Sequence, residues 1–243
     1  MKRALVAVMI LATACGRSSA DHSTLTVFAA ASLTGAFTDL GRQFRDQTNT
    51  NVTFNFAASS TLARQIADGS EADVFASAAE QDLDSLVAHH LAGKPSVFAR
   101  NTLEIAVPKD NPKRVGGLAD LGAAGATVVL CASSVPCGRL ADAVLARAGV
   151  KPRTVSREDN VKAVLTKVAL GEADAGLVYV SDVKTAPAGV RGIPIPAAQN
   201  AMTGYPIAVL SHSRHASAAE SFVGFVLSDA GRKTLARYGF AAP

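Results

Sequence analysis

The chain has 243 residues, a hydrophobic fraction of 49% and a formal net charge of +4 at pH 7. This apolar content excludes an intrinsically disordered chain, and the length suffices for one large domain or two small ones. The charge is small and scattered, and no basic run with interleaved aromatic residues occurs, so no nucleic-acid partner is expected.

The N-terminus has the pattern of an export signal. Two basic residues precede the apolar stretch Leu5–Leu11, which is too short for a permanent membrane-spanning helix. The segment LATAC then ends at Cys15 and resembles a bacterial lipobox. This resemblance implies a signal peptide over residues 1–14, a lipid on Cys15 and a linker over residues 15–23. The alternative is an ordinary cleaved signal with an incidental cysteine, because Ala12 stands where a lipobox usually has leucine.

Two further cysteines, Cys131 and Cys137, remain in a chain that is expected to be exported to an oxidising compartment. An even pair there indicates a disulfide, and a pair of buried free thiols is the alternative. A zinc site is weakly supported, because it needs three or four ligands and no histidine lies nearby in the sequence. The histidines show no metal-ligand spacing and are expected at the surface.

Beyond residue 24, strand-like runs alternate with helical patterns. The first strand, LTVFAA, precedes a helix that places Leu33, Phe37, Leu40 and Phe44 on one face. The later pairs of segments are NVTFNFA with SSTLARQIADG, DVFASA with EQDLDSLVAHH, ATVVLCA with GRLADAVLARAG, and REDNVKAVLTKVALGE with AGLVYV. This alternation predicts an α/β architecture with mainly parallel sheets.

Four predicted helix starts carry small or neutral residues instead of basic ones. Ser32 opens the first helix and Ser59 the second, Cys137 opens a third, and Val161 lies in the first turn of a fourth. Helix N-termini have unpaired N–H groups and a partial positive charge, so several in one cleft would bind a dianion without lysine or arginine. The alternative is that the two serines are ordinary helix caps.

Five motifs are distributed along the chain beyond residue 24: VFAAASLTGAFTDL, FAASSTLARQIADGSEADVFASA, SVPCG, EDNVKAVLTKVALGEADAGLVYVSD and RYGF. Together they resemble the molybdate-binding proteins of bacterial molybdate ABC transporters, and the VPCG spacing resembles their lipid-anchored, actinobacterial branch. The resemblance implies a two-lobed type II periplasmic binding protein fold. Each lobe would be a mainly parallel sheet flanked by helices, with the ligand in the cleft between them. Lobe one would hold residues 24–104 and 206–243, and lobe two residues 105–205.

The resemblance also implies which residues bind the oxyanion. Ser32 and Ser59 would donate from their hydroxyl and backbone N–H groups, Cys137 and Val161 from backbone N–H groups, and Tyr179 from its hydroxyl. Many members of the family have alanine in place of Cys137, and the segment EDNV is one residue longer than the common EDV. For Tyr179 the alternative is a core tyrosine that ends a strand.

The implied function is the capture of molybdate, with tungstate as a second ligand, by an exported lipoprotein on the outer side of the cell membrane. The protein would act as a monomer, without catalysis or cofactor, and deliver the anion to a permease and its ATPase. Molybdate is a dianion without a proton to donate, so a site made only of donors suits it. Sulfate stays an alternative ligand, whereas the proton of phosphate would need an acceptor. A serine hydrolase is a distant alternative, because it would need a histidine and an acid beside the serine and the chain has no G-x-S-x-G motif.

Overall fold

The computed structural model describes residues 24–122 and 125–243. The predicted signal peptide, Cys15 and the linker lie outside the described residues. None of the helices within the described ranges combines the length and the apolar character needed to cross a membrane.

Strands and helices alternate in the first part of the chain, as the sequence predicts. In order they are β1 (Thr24–Ala30), a 3-10 turn (Ala31–Leu33), α1 (Thr34–Thr48), β2 (Asn51–Ala57), α2 (Ser59–Ala67), β3 (Val74–Ala76), α3 (Glu80–Ala88) and β4 (Ser96–Pro108). The predicted apolar face at the first helix is confirmed, because Leu33, Phe37, Leu40 and Phe44 are all buried.

The alternation continues to the C-terminal end. In order the elements are a second 3-10 turn (Leu118–Gly122), β5 (Val128–Cys131), α4 (Pro136–Arg147), β6 (Thr154–Glu158), α5 (Val161–Ala169), β7 (Ala175–Tyr179), α6 (Val180–Lys184), β8 (Val190–Pro194), β9 (Met202–Val209), α7 (Ala216–Leu227) and α8 (Asp229–Arg237). Asn160 caps α5, since its side-chain oxygen accepts hydrogen bonds from the backbone N–H groups of Lys162 and Ala163 in the first turn of that helix.

The strands follow the order β2-β1-β3-β9-β4-β7-β5-β6, and β8 also pairs with β4. We call β2, β1, β3, β9 and the Ser96–Thr102 part of β4 the first half-sheet, and the rest of β4 with β7, β8, β5 and β6 the second half-sheet. β1 pairs in parallel with β2 and β3, and β5 with β6 and β7. The pairs that β4 makes with β7, β8 and β9, and the pair of β3 with β9, are antiparallel, which the strand–helix alternation did not reveal.

The long strand β4 belongs to both half-sheets. It changes partners between Thr102, which pairs with β9, and Leu103, which pairs with β7. β9 pairs only within the first half-sheet, from Met202 onward. The predicted lobe boundaries, 24–104 with 206–243 and 105–205, lie within a few residues of these changes of partner and stay predictions.

The main hydrophobic core is continuous across both half-sheets. Its centre in the first half is Phe37, whose ring lies 5.6 Å from that of Phe98 and 6.2 Å from that of Phe222. Between the halves, the rings of Tyr179 and Tyr205 meet edge to face at 5.9 Å. Edge-to-face pairs add to the stabilisation from area burial. The contact between Tyr179 and Tyr205 joins the end of β7 to the middle of β9.

Candidate functional site

Two helix starts lie side by side at the carboxyl end of the first half-sheet. β1 and β2 are parallel neighbours, and Ala30 at the end of β1 pairs with Ala57 at the end of β2. The next turns contain Ser32, in the 3-10 turn before α1, and Ser59, the first residue of α2. Ligands bind at this edge of open parallel sheets. The alanines between strand and serine leave the backbone accessible to a small ligand.

On the side of the second half-sheet, the starts of two helices and the end of one strand carry the other three predicted site residues. Cys137 is the second residue of α4, after a proline in the first helical position, where its fixed φ suits a helix start. Val161 is the first residue of α5, and Tyr179 is the last residue of β7. The sequence therefore placed Cys137 and Val161 correctly at helix starts.

One cavity brings the predicted site residues together. It is lined by Ala30, Ala31, Ser32, Ala57, Ala58, Ser59, Ala78, Pro136, Cys137, Asn160, Val161 and Tyr179. Both half-sheets contribute, and none of these residues is charged or a histidine. Sequence reasoning missed Asn160 as a lining residue, although its position before Val161, typical of a helix cap, was a usable signal.

The hydroxyl groups of Ser32 and Ser59 lie within hydrogen-bond distance of residues outside the helices that they begin. The Ser59 hydroxyl oxygen accepts a hydrogen bond of 2.9 Å from the backbone N–H of Ala78. The Ser32 hydroxyl lies 3.0 Å from the hydroxyl of Tyr205. The N-cap residues are Leu33 for α1 and Ala58 for α2, so neither serine occupies a cap position and the alternative of ordinary helix caps is wrong. Because Ser59 accepts from a backbone group, its own proton is free to be donated into the cavity.

The hydroxyl of Tyr179 is fully buried and makes no well-aligned hydrogen bond within the described part of the chain. Burial raises the pKa of this phenol, and the negative charge of Asp182 raises it further, whereas Arg139 and the nearby hydroxyl of Tyr205 lower it. The group therefore stays protonated and can act as a donor at neutral pH. A buried polar group without a partner costs about 1–3 kcal/mol. Its position in the cavity wall points to a ligand as that partner.

A buried carboxylate holds the backbone of Tyr179. Asp182 accepts a hydrogen bond of 3.2 Å from the N–H of Tyr179, and its other oxygen lies 2.9 Å from Nζ of Lys162. Burial raises the pKa of Asp182, and the charge of Lys162 opposes this shift. Asp182 thus links the end of β7 to the first turn of α5, two elements that line the cavity.

A disulfide joins Cys131 to Cys137, with a Cα–Cα distance of 5.8 Å. This confirms the predicted pair, so the free-thiol and zinc alternatives are wrong. The bond ties the end of β5 to the first turn of α4. The next residue must be Gly138, because a Cβ atom there would lie 1.9 Å from the carbonyl oxygen of Ala132. Within residues 24–122 and 125–243, no three histidine, cysteine or acidic side chains are grouped so that they could hold a metal ion.

Comparison with known proteins identifies the family. Residues 25–241 match the family described as bacterial extracellular solute-binding protein. The chain belongs to this family. This solute-binding protein is 42% identical, over 252 aligned residues, to the molybdate-binding protein ModA of Mycobacterium tuberculosis (strain ATCC 25618 / H37Rv), and the alignment covers 98% of this chain and 97% of the relative.

Solved structures agree on the fold of this solute-binding protein. The periplasmic molybdate-binding protein of Azotobacter vinelandii matches with a TM-score of 0.79 at 22% identity, covering 90% of this chain and 99% of that one. The sulfate-binding protein SubI of M. tuberculosis H37Rv matches with a TM-score of 0.83 at 20% identity, covering 91% and 87%. Likeness at such identities shows the shared fold and does not distinguish between the two anions.

Proposed function

We propose that this solute-binding protein captures molybdate, and also tungstate, outside the cytoplasm and delivers it to the permease and ATPase of an ABC transporter. One observation carries the proposal. Hydroxyl groups and helix N-termini from both half-sheets line a single cavity that contains no charged residue. The identity of 42% to a molybdate-binding protein over nearly the whole chain supports the same ligand.

The donors suit a tetrahedral dianion. Ser32, Ser59 and Tyr179 would donate from their hydroxyl groups, and Cys137 and Val161 from backbone N–H groups at the positive ends of α4 and α5. Because no acidic side chain lines the cavity, a ligand without protons meets no repelling acceptor charge. Neutral donors also avoid the cost of removing water from a buried counter-ion.

Delivery would depend on closure of the two lobes around the anion. A ligand that contacts residues of both half-sheets favours the conformation in which the halves are close, and the permease would recognise that conformation. The proposal includes a monomer that is held at the membrane by a lipid on Cys15. Mass spectrometry of protein extracted from membranes tests the lipid, and an unmodified cysteine in the mature protein would contradict it.

Competing functions have less support. Sulfate has the same charge and shape as molybdate, so the donor set alone does not separate the two anions. A hydrolase would need a base beside Ser32 or Ser59, and no histidine or carboxylate lines the cavity. The described geometry therefore favours binding without catalysis.

Calorimetry tests the proposed ligand. Purified protein is titrated separately with molybdate, tungstate, sulfate and phosphate, and metal bound after incubation in a mixture is measured by elemental analysis. We expect one anion per chain, with molybdate and tungstate bound more tightly than sulfate. Tighter binding of sulfate, or no binding of any tetrahedral anion, would overturn the proposal.

A further inference from the structure

Asn160, the residue before α5, lines the cavity and is half-buried. Its side chain is an amide, in which the oxygen accepts hydrogen bonds and the nitrogen carries two protons. The oxygen accepts from the backbone N–H of Lys162 at 3.0 Å and from that of Ala163 at 3.2 Å. The acceptor of the amide is therefore engaged by the helix that it caps.

These two bonds also fix the orientation of the amide. A backbone N–H group can only donate, so the atom that faces Lys162 and Ala163 must be the oxygen and cannot be the nitrogen. The nitrogen, Nδ2, lies on the other branch of the amide and makes no hydrogen bond within the described part of the chain. Protein atoms do not enclose it completely, so a small molecule can reach it.

No protein group near the cavity accepts the protons of this nitrogen. The carboxylate of Asp182 accepts from the N–H of Tyr179 and lies beside Nζ of Lys162. The hydroxyl of Tyr179, which lines the same cavity, makes no well-aligned hydrogen bond with any described residue. None of the lining residues is acidic. Water or a ligand must therefore satisfy the amide nitrogen of Asn160.

The same cap leaves one backbone donor at the start of α5. Its oxygen takes the N–H groups of the second and third residues of the helix, Lys162 and Ala163, and leaves that of the first, Val161. An anion that binds the N–H of Val161 lies next to the residue that precedes it, Asn160. Both donors then stand at the positive end of the helix dipole.

We propose that Asn160 is a further ligand-binding residue, whose amide nitrogen donates a hydrogen bond to the oxyanion beside the backbone N–H of Val161. This inference rests on the proposed function and deepens it. Because α5 holds the amide oxygen, Asn160 presents only protons to the ligand, and it adds a donor to the cavity without adding a charge.

Asn160→Ser separates the helix cap from the proposed contact. Serine caps helices about as well as asparagine and has no amide nitrogen, so thermal stability should stay close to that of wild type. Calorimetry should show an affinity for molybdate that is lower on the order of tenfold, because a hydrogen bond to a charged group is lost. Wild-type affinity in Asn160→Ser would show that Asn160 is only a cap and would overturn the inference.

The matched control is Ser228→Ala, which removes the side-chain cap of α8. Ser228 does not line the cavity. This variant should have a lower melting temperature and an unchanged affinity for molybdate. A loss of affinity equal to that of Asn160→Ser would show that any weakened helix start impairs binding, and it would overturn the inference.

Asn160→Asp keeps the shape and the cap oxygen but replaces the donor with a carboxylate. Its melting temperature should not fall, because aspartate is a good cap and its charge suits a helix start. Its affinity for molybdate should fall further than that of Asn160→Ser, because the carboxylate repels the dianion. An affinity as high as that of wild type would also overturn the inference.

Nuclear magnetic resonance gives a readout that a purely structural role would not change. The side-chain amide signals of Asn160 are identified in isotope-labelled protein as the pair that is absent from Asn160→Ser. In saturating molybdate, we expect one of the two protons to shift strongly downfield as its hydrogen bond to the anion forms. Unchanged positions of both signals would contradict the contact.

The proposed function and the role of Asn160 fail separately. If wild-type protein binds no molybdate, the proposed function is wrong and this inference is wrong with it. If wild-type protein binds molybdate and Asn160→Ser binds it equally well, only the role of Asn160 is wrong.

Discussion

Asp82 of α3 and Arg139 of α4 form an ion pair of 2.7 Å between the two halves of the molecule. α3 packs on β9 of the first half-sheet, and α4 packs on β5 and β7 of the second. The Asp82 side chain is 8% exposed and that of Arg139 is 28% exposed. Burial raises the pKa of Asp82, and the charge of Arg139 opposes this shift. The pair can form only when α3 and α4 are close together.

Asp82→Asn should therefore weaken the closed conformation. In the pKa of Asp82, the effect of burial exceeds that of the attraction to Arg139, so we expect the ion pair to contribute only modestly to closure. The affinity for molybdate should therefore fall about threefold to tenfold, mainly because the anion dissociates faster. Stopped-flow measurement of anion release checks this. Asp229→Asn, at an exposed ion pair with Arg232, is the control. An unchanged dissociation rate in Asp82→Asn would show that the pair does not contribute to closure.

Ser32→Ala and Ser59→Ala should each weaken binding of molybdate without unfolding the protein. A hydrogen bond to a charged group contributes roughly 1.5–3 kcal/mol, so each loss should be on the order of tenfold to a hundredfold in affinity. Ser59→Ala also leaves the Ala78 N–H without its partner and should lower the melting temperature. Ser60→Ala, one residue along α2 and outside the cavity, is the control for calorimetry. Wild-type affinity in both variants would remove the serines from the site.

Tyr179→Phe should weaken binding while it preserves the edge-to-face contact with Tyr205. The phenol hydroxyl belongs to the second half-sheet, and its proposed bond to the anion helps to hold the halves together. We therefore expect the variant to become less compact than wild type in saturating molybdate, as measured by small-angle X-ray scattering. Tyr238→Phe, which removes a phenol hydroxyl outside the cavity, serves as control. Unchanged affinity together with unchanged compaction would exclude Tyr179 from binding.

Cys131→Ser should reduce both stability and affinity. The short ring closed by the disulfide stabilises the folded chain by roughly 2–3 kcal/mol in the loop-entropy model. The bond also holds Cys137, whose N–H is a proposed donor, in place before the anion arrives. Thermal melting and calorimetry measure the two effects, and reduced wild-type protein should behave like the variant. Lower stability with full affinity would show that the bond is structural only.

The buried phenols predict the response to alkaline pH. Burial raises the pKa of both Tyr179 and Tyr205 above the ordinary 10.0. Both groups therefore stay protonated in the folded protein, and affinity for molybdate should stay constant up to about pH 10. In the unfolded chain they ionise near their ordinary pKa, so their contribution to stability is complete below pH 10 and is lost as the pH rises further. Above about pH 10, each of the two groups should lower the free energy of unfolding by about 1.4 kcal/mol per pH unit.

Urea unfolding at several alkaline pH values measures this dependence. Tyr179→Phe should have a shallower loss of stability with pH than wild type, because one titrating group is absent. A decrease in affinity with a midpoint near pH 10 in folded wild-type protein would contradict the protonated state of the phenols.

Local features of the sequence determined most of the fold and much of the candidate site. The alternation of strand and helix patterns predicted the α/β architecture, and the spacing of Phe37, Leu40 and Phe44 predicted the buried face of α1. Ser59 and Val161 lie at helix starts because the signals for such starts are contained within a few neighbouring residues. The disulfide was also predicted from the sequence, because Cys131 and Cys137 are two nearby cysteines in a chain that is expected to be exported.

Only the tertiary structure decided which distant residues meet. Ser32 and Tyr205 are 173 residues apart, and Asp82 and Arg139 are 57 apart. In the sequence Tyr205 has the pattern of a core residue in a strand, and Asp82 that of a solvated helix residue. No local preference encodes such contacts, because they arise when the half-sheets pack and exclude water from between them. The contacts behind the cavity and across the two half-sheets are thus a property of the packed fold.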